Sequence, residues 1–199
     1  MAAAGRVGVA FEEVRIPLDT EKTQSLIAAH SGAGKVPVLH DGNLVVWDSL
    51  AICEYVSERY LDGGGWPADA AVRAQARASA AEMHSGFFEL RAKMPMNCRA
   101  TGRRVVMTPG LERDVNRIID LWTTLRDRYA SQGPWLFGVF SIADCMYAPV
   151  VSRFHTYGVP VPDACADYME HVLANPGMQR WLAQAAEETE TIDDAEVGL

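Results

Sequence analysis

Gly34-Lys35-Val36-Pro37-Val38-Leu39-His40-Asp41-Gly42 and, one residue on, Leu44-Val45-Val46-Trp47-Asp48-Ser49-Leu50-Ala51-Ile52-Cys53-Glu54-Tyr55 decide the fold. They read as strand, turn, strand and helix start. Val36 to Leu39 is a short apolar strand with a proline inside it, which an ordinary central strand does not tolerate. A cis peptide that turns backbone groups toward a ligand explains such a proline. Asp41-Gly42 is a tight-turn signal, Leu44 to Trp47 is the return strand, and Asp48-Ser49 supplies capping residues for the helix that follows.

In this order, Val36-Pro37-Val38-Leu39, the Asp-Gly hairpin and Asp48-Ser49-Leu50-Ala51-Ile52 resemble the glutathione-binding half of the glutathione S-transferases. The resemblance implies that Val36, before the cis-proline, offers its backbone to the cysteine of glutathione. Asp48 and Ser49 would hold the γ-glutamyl end, and Lys35 and Pro37 complete the expected glutathione-binding set. The physical chemistry agrees. Exposed amides and the positive end of a helix dipole suit a carboxylate, the Ser49 hydroxyl adds a donor, and Asp48 can take an ammonium group.

Upstream the pattern is short of what the family needs. Phe11-Glu12-Glu13-Val14-Arg15-Ile16-Pro17-Leu18 alternates apolar and polar residues, which predicts a strand with one buried face. Arg6-Val7-Gly8-Val9 reads as the tail of a helix. The resemblance implies a further strand and helix before Phe11, with a Tyr, Ser or Cys between them to activate the glutathione sulfur. A strand of ~5 and a helix of ~11 residues do not fit there, and no Tyr, Ser or Cys precedes Thr20. A thiol of pKa ~8.5 needs ~2.7 kcal/mol of thiolate stabilisation to titrate two units lower. The sequence therefore predicts a reading frame truncated upstream of Met1, or a non-catalytic variant. No catalytic residue is assigned.

Composition narrows the alternatives. The chain has 199 residues and a net charge of −8, and its longest run of Lys and Arg is Arg103-Arg104. That argues against nucleic acid or an anionic membrane as partner. No apolar run approaches the length of a membrane span. The four cysteines, Cys53, Cys98, Cys145 and Cys165, lack zinc or disulfide spacing, and the five histidines lack ligand spacing, so no metal is expected. Such cysteines suit a reducing cytoplasm. Gly34-Lys35 is not a phosphate loop, since Ala29 and Val36 stand where that pattern needs Gly and Ser or Thr.

Glu21 to His30 and Leu50 to Tyr60 read as helices, and Leu61-Asp62-Gly63-Gly64-Gly65-Trp66-Pro67 reads as a linker. Beyond it the pattern is helical throughout. Val72, Ala76, Met83, Phe87, Leu90 and Met94 form one stripe, on a long helix that ends before Pro95. Leu111, Val115, Ile118, Trp122, Leu125 and Tyr129 form another, suited to an antiparallel bundle. Ser141 and Asp144 read as a structural capping box, and residues 166–173 and 178–188 as closing helices with Met178, Trp181 and Leu182 inward. The acidic end from Thr189 reads as a mobile tail.

The expected fold is an incomplete α/β thioredoxin-like domain, residues 1–62, followed by an all-α helical-bundle domain, residues 68–190. The expected function is transfer of glutathione thiolate to a small electrophilic apolar substrate in detoxification, with glutathione as co-substrate and a homodimer implied by the resemblance. The alternative is a non-catalytic module of the same fold that binds glutathione or another protein. By the same resemblance Met96, Asn97 and Arg99 are candidates for the second-substrate wall. A cysteine-based reductase or dehalogenase is disfavoured, because Cys53 sits on the helix after the site.

Overall fold

A computed structural model describes residues 9–198. The chain divides into two compact units, Met1–Gly65 and Trp66–Leu199.

In the first unit α1 spans Thr23–His30, β1 Val38–Asp41, β2 Leu44–Trp47 and α2 Ser49–Tyr60. The strands pair antiparallel, with Val38 opposite Trp47 and Asp41 opposite Leu44. Asp41 is therefore the last strand residue, and the turn itself is Gly42-Asn43, one residue later than the Asp-Gly signal suggests. Gly42 takes φ +58°, a left-handed value that glycine adopts without a Cβ penalty. Helix α2 packs on both strands. Tyr55 and Tyr60, on one side of that helix, each donate their hydroxyl to Asp41 Oδ2 at 2.7 Å and pin the hairpin end. At the helix C-terminus the buried Ser57 hydroxyl accepts the Gly65 amide at 3.0 Å, which fixes the glycine-rich stretch.

The strand expected at Phe11 to Leu18 is absent. Residues 9–17 form no described regular element, and β1 and β2 are the whole described sheet. Alternation gives a segment a face to bury but not a ladder partner, and an isolated strand cannot satisfy its backbone. The segment is anchored at its end instead, where Thr23 Oγ1 donates to the Pro17 carbonyl at 2.9 Å. The helix tail expected at Arg6-Val7-Gly8-Val9 lies outside the described residues, except for Val9, which is not helical.

The second unit is helical: α3 Ala70–Ser85, α4 Phe88–Lys93, α5 Pro109–Tyr129, α6 Ile142–Tyr157, α7 Asp163–Leu173 and α8 Pro176–Glu187. Its core is built around Trp122 on α5, which is fully buried. The rings of Tyr147, Phe154 and Tyr168 surround it at centroid distances of 5.7, 5.4 and 5.1 Å. Each such pair contributes about 0.5–1.5 kcal/mol beyond area burial. The whole predicted α5 stripe is buried.

The long helix expected up to Pro95 is broken. A Cβ on Gly86 would come within 2.7 Å of the Glu82 carbonyl, and Phe87 takes a left-handed φ of +58° before α4 begins. Arg91 closes the break. Its guanidinium donates to the Met83, His84 and Gly86 carbonyls at 2.8, 3.1 and 3.2 Å and so caps the end of α3. Asp114 of α5 accepts the Leu90 amide at 3.0 Å. On α8 only Met178 is buried, with Trp181 and Leu182 half-buried.

The acidic end is not a loose tail. Residues 188–198 are fastened to the loop after α4 through Arg99, Asn97, Arg103 and the Arg104 amide. Acidic composition suggested solvation, but three arginines and an asparagine on one loop give it partners.

Candidate functional site

The hairpin carries its candidate groups at its two ends. Before β1, the Val36-Pro37 peptide is cis. Val36 is 44 % exposed, and among the described residues its main-chain N–H and C=O have no hydrogen-bond partner. An exposed main chain with both groups open can pair with the main chain of a peptide-like ligand. Lys35 is exposed beside it.

After β2, Asp48 is the N-cap of α2. Its Oδ1 accepts the Leu50 and Ala51 amides at 2.9 and 3.3 Å, which satisfies two of the helix's leading donors. Asp48 takes φ +79° and ψ 128°, a rare conformation for a residue with a side chain that costs on the order of 1–3 kcal/mol. The strand therefore turns into the helix within one residue, and Ser49 is left at the first helical position. The Ser49 amide and hydroxyl have no partner among the described residues, and the residue is half-buried. Of the helix amides expected to receive a carboxylate, those of Leu50 and Ala51 are thus already taken by Asp48, while that of Ser49 stays open.

The Cys53 thiol, one turn into α2, is pushed above its ordinary pKa by burial. It stays protonated at neutral pH and is not a poised nucleophile. A shallow recess of about 600 Å³ adjoins the hairpin, lined by Ala28 to Ala33, Val45 and Trp47. It includes none of Lys35, Val36, Pro37, Asp48 or Ser49. Among the described residues no group of His, Cys, Asp and Glu side chains is arranged to hold a metal ion. No described helix is long and apolar enough to cross a membrane.

In the second unit Met96 and Asn97 are half-buried and Arg99 is exposed. Asn97 Nδ2 donates to Glu196 Oε1 at 2.7 Å, and Asn97 Oδ1 accepts the Arg99 and Ala100 amides at 3.2 and 3.1 Å. The Arg99 guanidinium donates to the carbonyls of Glu188 and Glu190. Both polar side chains of the expected wall therefore face the chain's own end. Ser141 and Asp144 form a capping box at the start of α6. Asp144 Oδ2 accepts the Ser141 amide at 2.8 Å, and Oδ1 accepts the Leu136 amide at 3.1 Å. Burial nevertheless raises the Asp144 pKa to about 6, against the lowering effect of those bonds. The Tyr168 hydroxyl lies near Asp144 without reaching a standard hydrogen bond, and burial, then the nearby carboxylate, push its acidity well down.

Two groupings escape a sequence reading. The Asp41–Tyr55–Tyr60 cluster joins residues whose approach depends on the hairpin turning back onto α2. Glu196 with Asn97 and Arg103 spans nearly half the chain. The available signal was charge alone: an acidic end and a basic loop.

The sequence matches two family profiles, the glutathione S-transferase N-terminal domain over residues 3–59 and the glutathione S-transferase C-terminal domain over residues 108–184. Together they cover more than half of the chain. A dichloromethane dehalogenase from Methylorubrum extorquens is 37 % identical over 62 residues, which are 30 % of this chain and 22 % of that protein. The match thus spans about a fifth of that relative's length. Among solved structures, a glutathione transferase homologue from Burkholderia gl BGR1 with bound glutathione is similar, with a TM-score of 0.71, 24 % identity, and 94 % of this chain and 89 % of that one covered. The theta class glutathione S-transferase of Xanthomonas axonopodis pv. citri, with glutathione bound, has a TM-score of 0.65, 20 % identity, and coverage of 93 % and 90 %. At those identities the likeness concerns the fold: a small thioredoxin-like unit followed by an all-helical one.

Proposed function

This chain belongs to the glutathione S-transferase family, and from that premise we propose that its first unit binds glutathione and that the chain is a glutathione transferase. The observation that carries the reading is a pair of open polar groups on the hairpin. Among the described residues Val36 keeps both main-chain groups unpartnered beside Pro37, and Ser49 keeps its amide and hydroxyl unpartnered at the start of α2. Val36 would pair with the cysteinyl main chain, and Ser49 would donate twice to the γ-glutamyl carboxylate at the positive end of the helix. Asp48 would take the ammonium group, Lys35 would supply a cation for the remaining carboxylate, and Pro37 would fix the Val36 backbone.

When bound, glutathione supplies a thiol whose thiolate can attack an electrophilic carbon and displace a leaving group. The chain's residues bind and orient it, which is a rate effect in its own right. A homodimer in the cytoplasm, acting on small electrophilic apolar compounds in detoxification, is the finer part of the same proposal, as is a role for Met96, Asn97 and Arg99 beside the second substrate.

The alternative reading is a module that binds glutathione without turning it over. Titration calorimetry with glutathione, paired with a conjugation assay on 1-chloro-2,4-dinitrobenzene, separates the readings. Saturable binding with glutathione-dependent turnover supports the transferase, and binding without turnover supports the module. Absence of binding at millimolar glutathione removes both.

A further inference from the structure

The acidic end of the chain lies across the loop after α4, and its contacts are of two kinds. Arg99 and the Arg104 amide hold its backbone, with a longer contact of 3.5 Å from Arg99 to the Thr191 hydroxyl. Arg99 donates to the Glu190 carbonyl at 2.8 Å and to that of Glu188, and the Arg104 amide donates to the Gly198 carbonyl at 3.0 Å. The fit there is close, since a Cβ on Gly198 would come within 2.7 Å of the Arg104 carbonyl oxygen.

The second kind reads a carboxylate. Asn97 Nδ2 donates to Glu196 Oε1 at 2.7 Å, and Arg103 Nη2 donates to Glu196 Oε2, so each oxygen of one carboxylate meets one donor of the same loop. The Arg103 side chain is only 13 % exposed, which shields the pair from solvent screening.

The main chain of both donor residues is held by the loop and by α6. Asn97 Oδ1 accepts the Arg99 and Ala100 amides, which leaves Nδ2 directed at the carboxylate. The Asn97 carbonyl accepts the Thr156 hydroxyl at 2.9 Å, and the Arg103 amide donates to the Thr156 carbonyl at 3.0 Å. The main chain at both donors is therefore tied to one residue of α6, while the Arg103 guanidinium reaches out to the strap, to Glu196 and to the Val197 carbonyl at 3.5 Å. The strap itself contributes no buried side chain between residues 188 and 198. It is held by polar contacts, which a solute of the same chemistry can replace.

We infer that Asn97 and Arg103 form a carboxylate-binding site that the chain's own Glu196 keeps closed, and that its ligand is a small carboxylic acid. One cation and one neutral donor match a singly charged planar carboxylate. The site is built wholly from residues of the second unit, and its test reads no glutathione binding.

The test uses a chain ending at Glu187 and a fluorescent peptide of residues 188–199 supplied separately. The peptide binds the shortened chain, its Glu196→Gln version binds at least about tenfold more weakly, and succinate displaces the parent peptide while uncharged succinamide does not. Equal binding of the two peptides, or equal displacement by succinate and succinamide, overturns the inference. Should the shortened chain lack the parent's helical circular dichroism, full-length Glu196→Gln is melted with and without succinate. A rise in melting temperature that Arg103→Ala removes supports the site, and no rise overturns it.

Discussion

Asp41 in the first unit and Asp144 in the second both sit at the start or end of an element and both accept several hydrogen bonds, yet their acidities move in opposite directions. Asp41 lies at an open edge. The hydroxyl of Tyr55, then that of Tyr60, holds its carboxyl below the ordinary range, against the opposing effect of desolvation. Asp144 accepts two amides and the Ser141 hydroxyl, but complete burial outweighs them and raises it to about 6. The difference is one of cover. Among the described residues of the first unit, Ile27 and Val56 are the buried apolar side chains, while Phe11, Val14, Leu18, Leu26, Leu44 and Trp47 lie in solvent. The second unit encloses Trp122, Tyr147, Phe154 and Tyr168. A two-stranded sheet has two faces and one helix packed on it, so it cannot bury what its sequence offers; a helical bundle can.

The largest effect follows from that contrast. Trp122→Ala removes the centre of the aromatic cluster and lowers stability by about 3–5 kcal/mol, measured by urea denaturation. A loss below about 1 kcal/mol would show that the cluster is not the core. Next comes the pH response of Asp144. Its folded pKa of about 6 lies above the ordinary 3.8, so the folded protein holds this proton more tightly. The resulting stabilisation is complete below the unfolded pKa and is lost as pH rises through about 6. Two units correspond to about 3 kcal/mol. The stability advantage of the parent over Asp144→Asn therefore shrinks by about that much between pH 4 and 7, and an advantage that grows over this range contradicts the assignment.

Asp41 responds with the opposite sign and less. Its depressed pKa stabilises the fold above the ordinary value of 3.8, and that contribution is lost as pH falls through the folded value. Tyr60→Phe removes one of its two hydroxyl donors and moves the Asp41 titration upward, read by carboxyl NMR; an unmoved titration means that the bond is idle in solution. Smallest of all is Trp47→Ala. Trp47 is 57 % exposed, and its removal changes stability by no more than about 0.5 kcal/mol. A loss comparable to that of Trp122→Ala would erase the distinction between the units.

The sequence was most legible where local chemistry settles local structure. Pro37 between apolar residues signalled the cis bond, Asp48 and Ser49 the start of α2, and Ser141 with Asp144 the box before α6. The α5 stripe from Leu111 to Tyr129 gave both the helix and its buried face. Legibility failed where a distant partner decides. Phe11 to Leu18 has strand periodicity but no neighbour to pair with. Apolar spacing ran through Gly86 and Phe87, where Arg91 closes a break that periodicity does not register. The acidic end looked solvated because its arginine partners lie about ninety residues away. At the candidate site, the residue types could be read, but the capture of the Leu50 and Ala51 amides by Asp48 could not.

We propose that the open groups of Val36 and Ser49 make the hairpin a glutathione site. The most direct test is the melting temperature of the chain at rising glutathione, beside that of Ser49→Ala, because a ligand specific to the folded state raises it. A saturable rise is expected in the parent. In the variant the same rise needs about tenfold or more glutathione, the expected effect of losing a hydrogen bond to a carboxylate, with the ligand-free melting temperature unchanged. Identical curves for the two proteins, or no rise in either at millimolar glutathione, would contradict it.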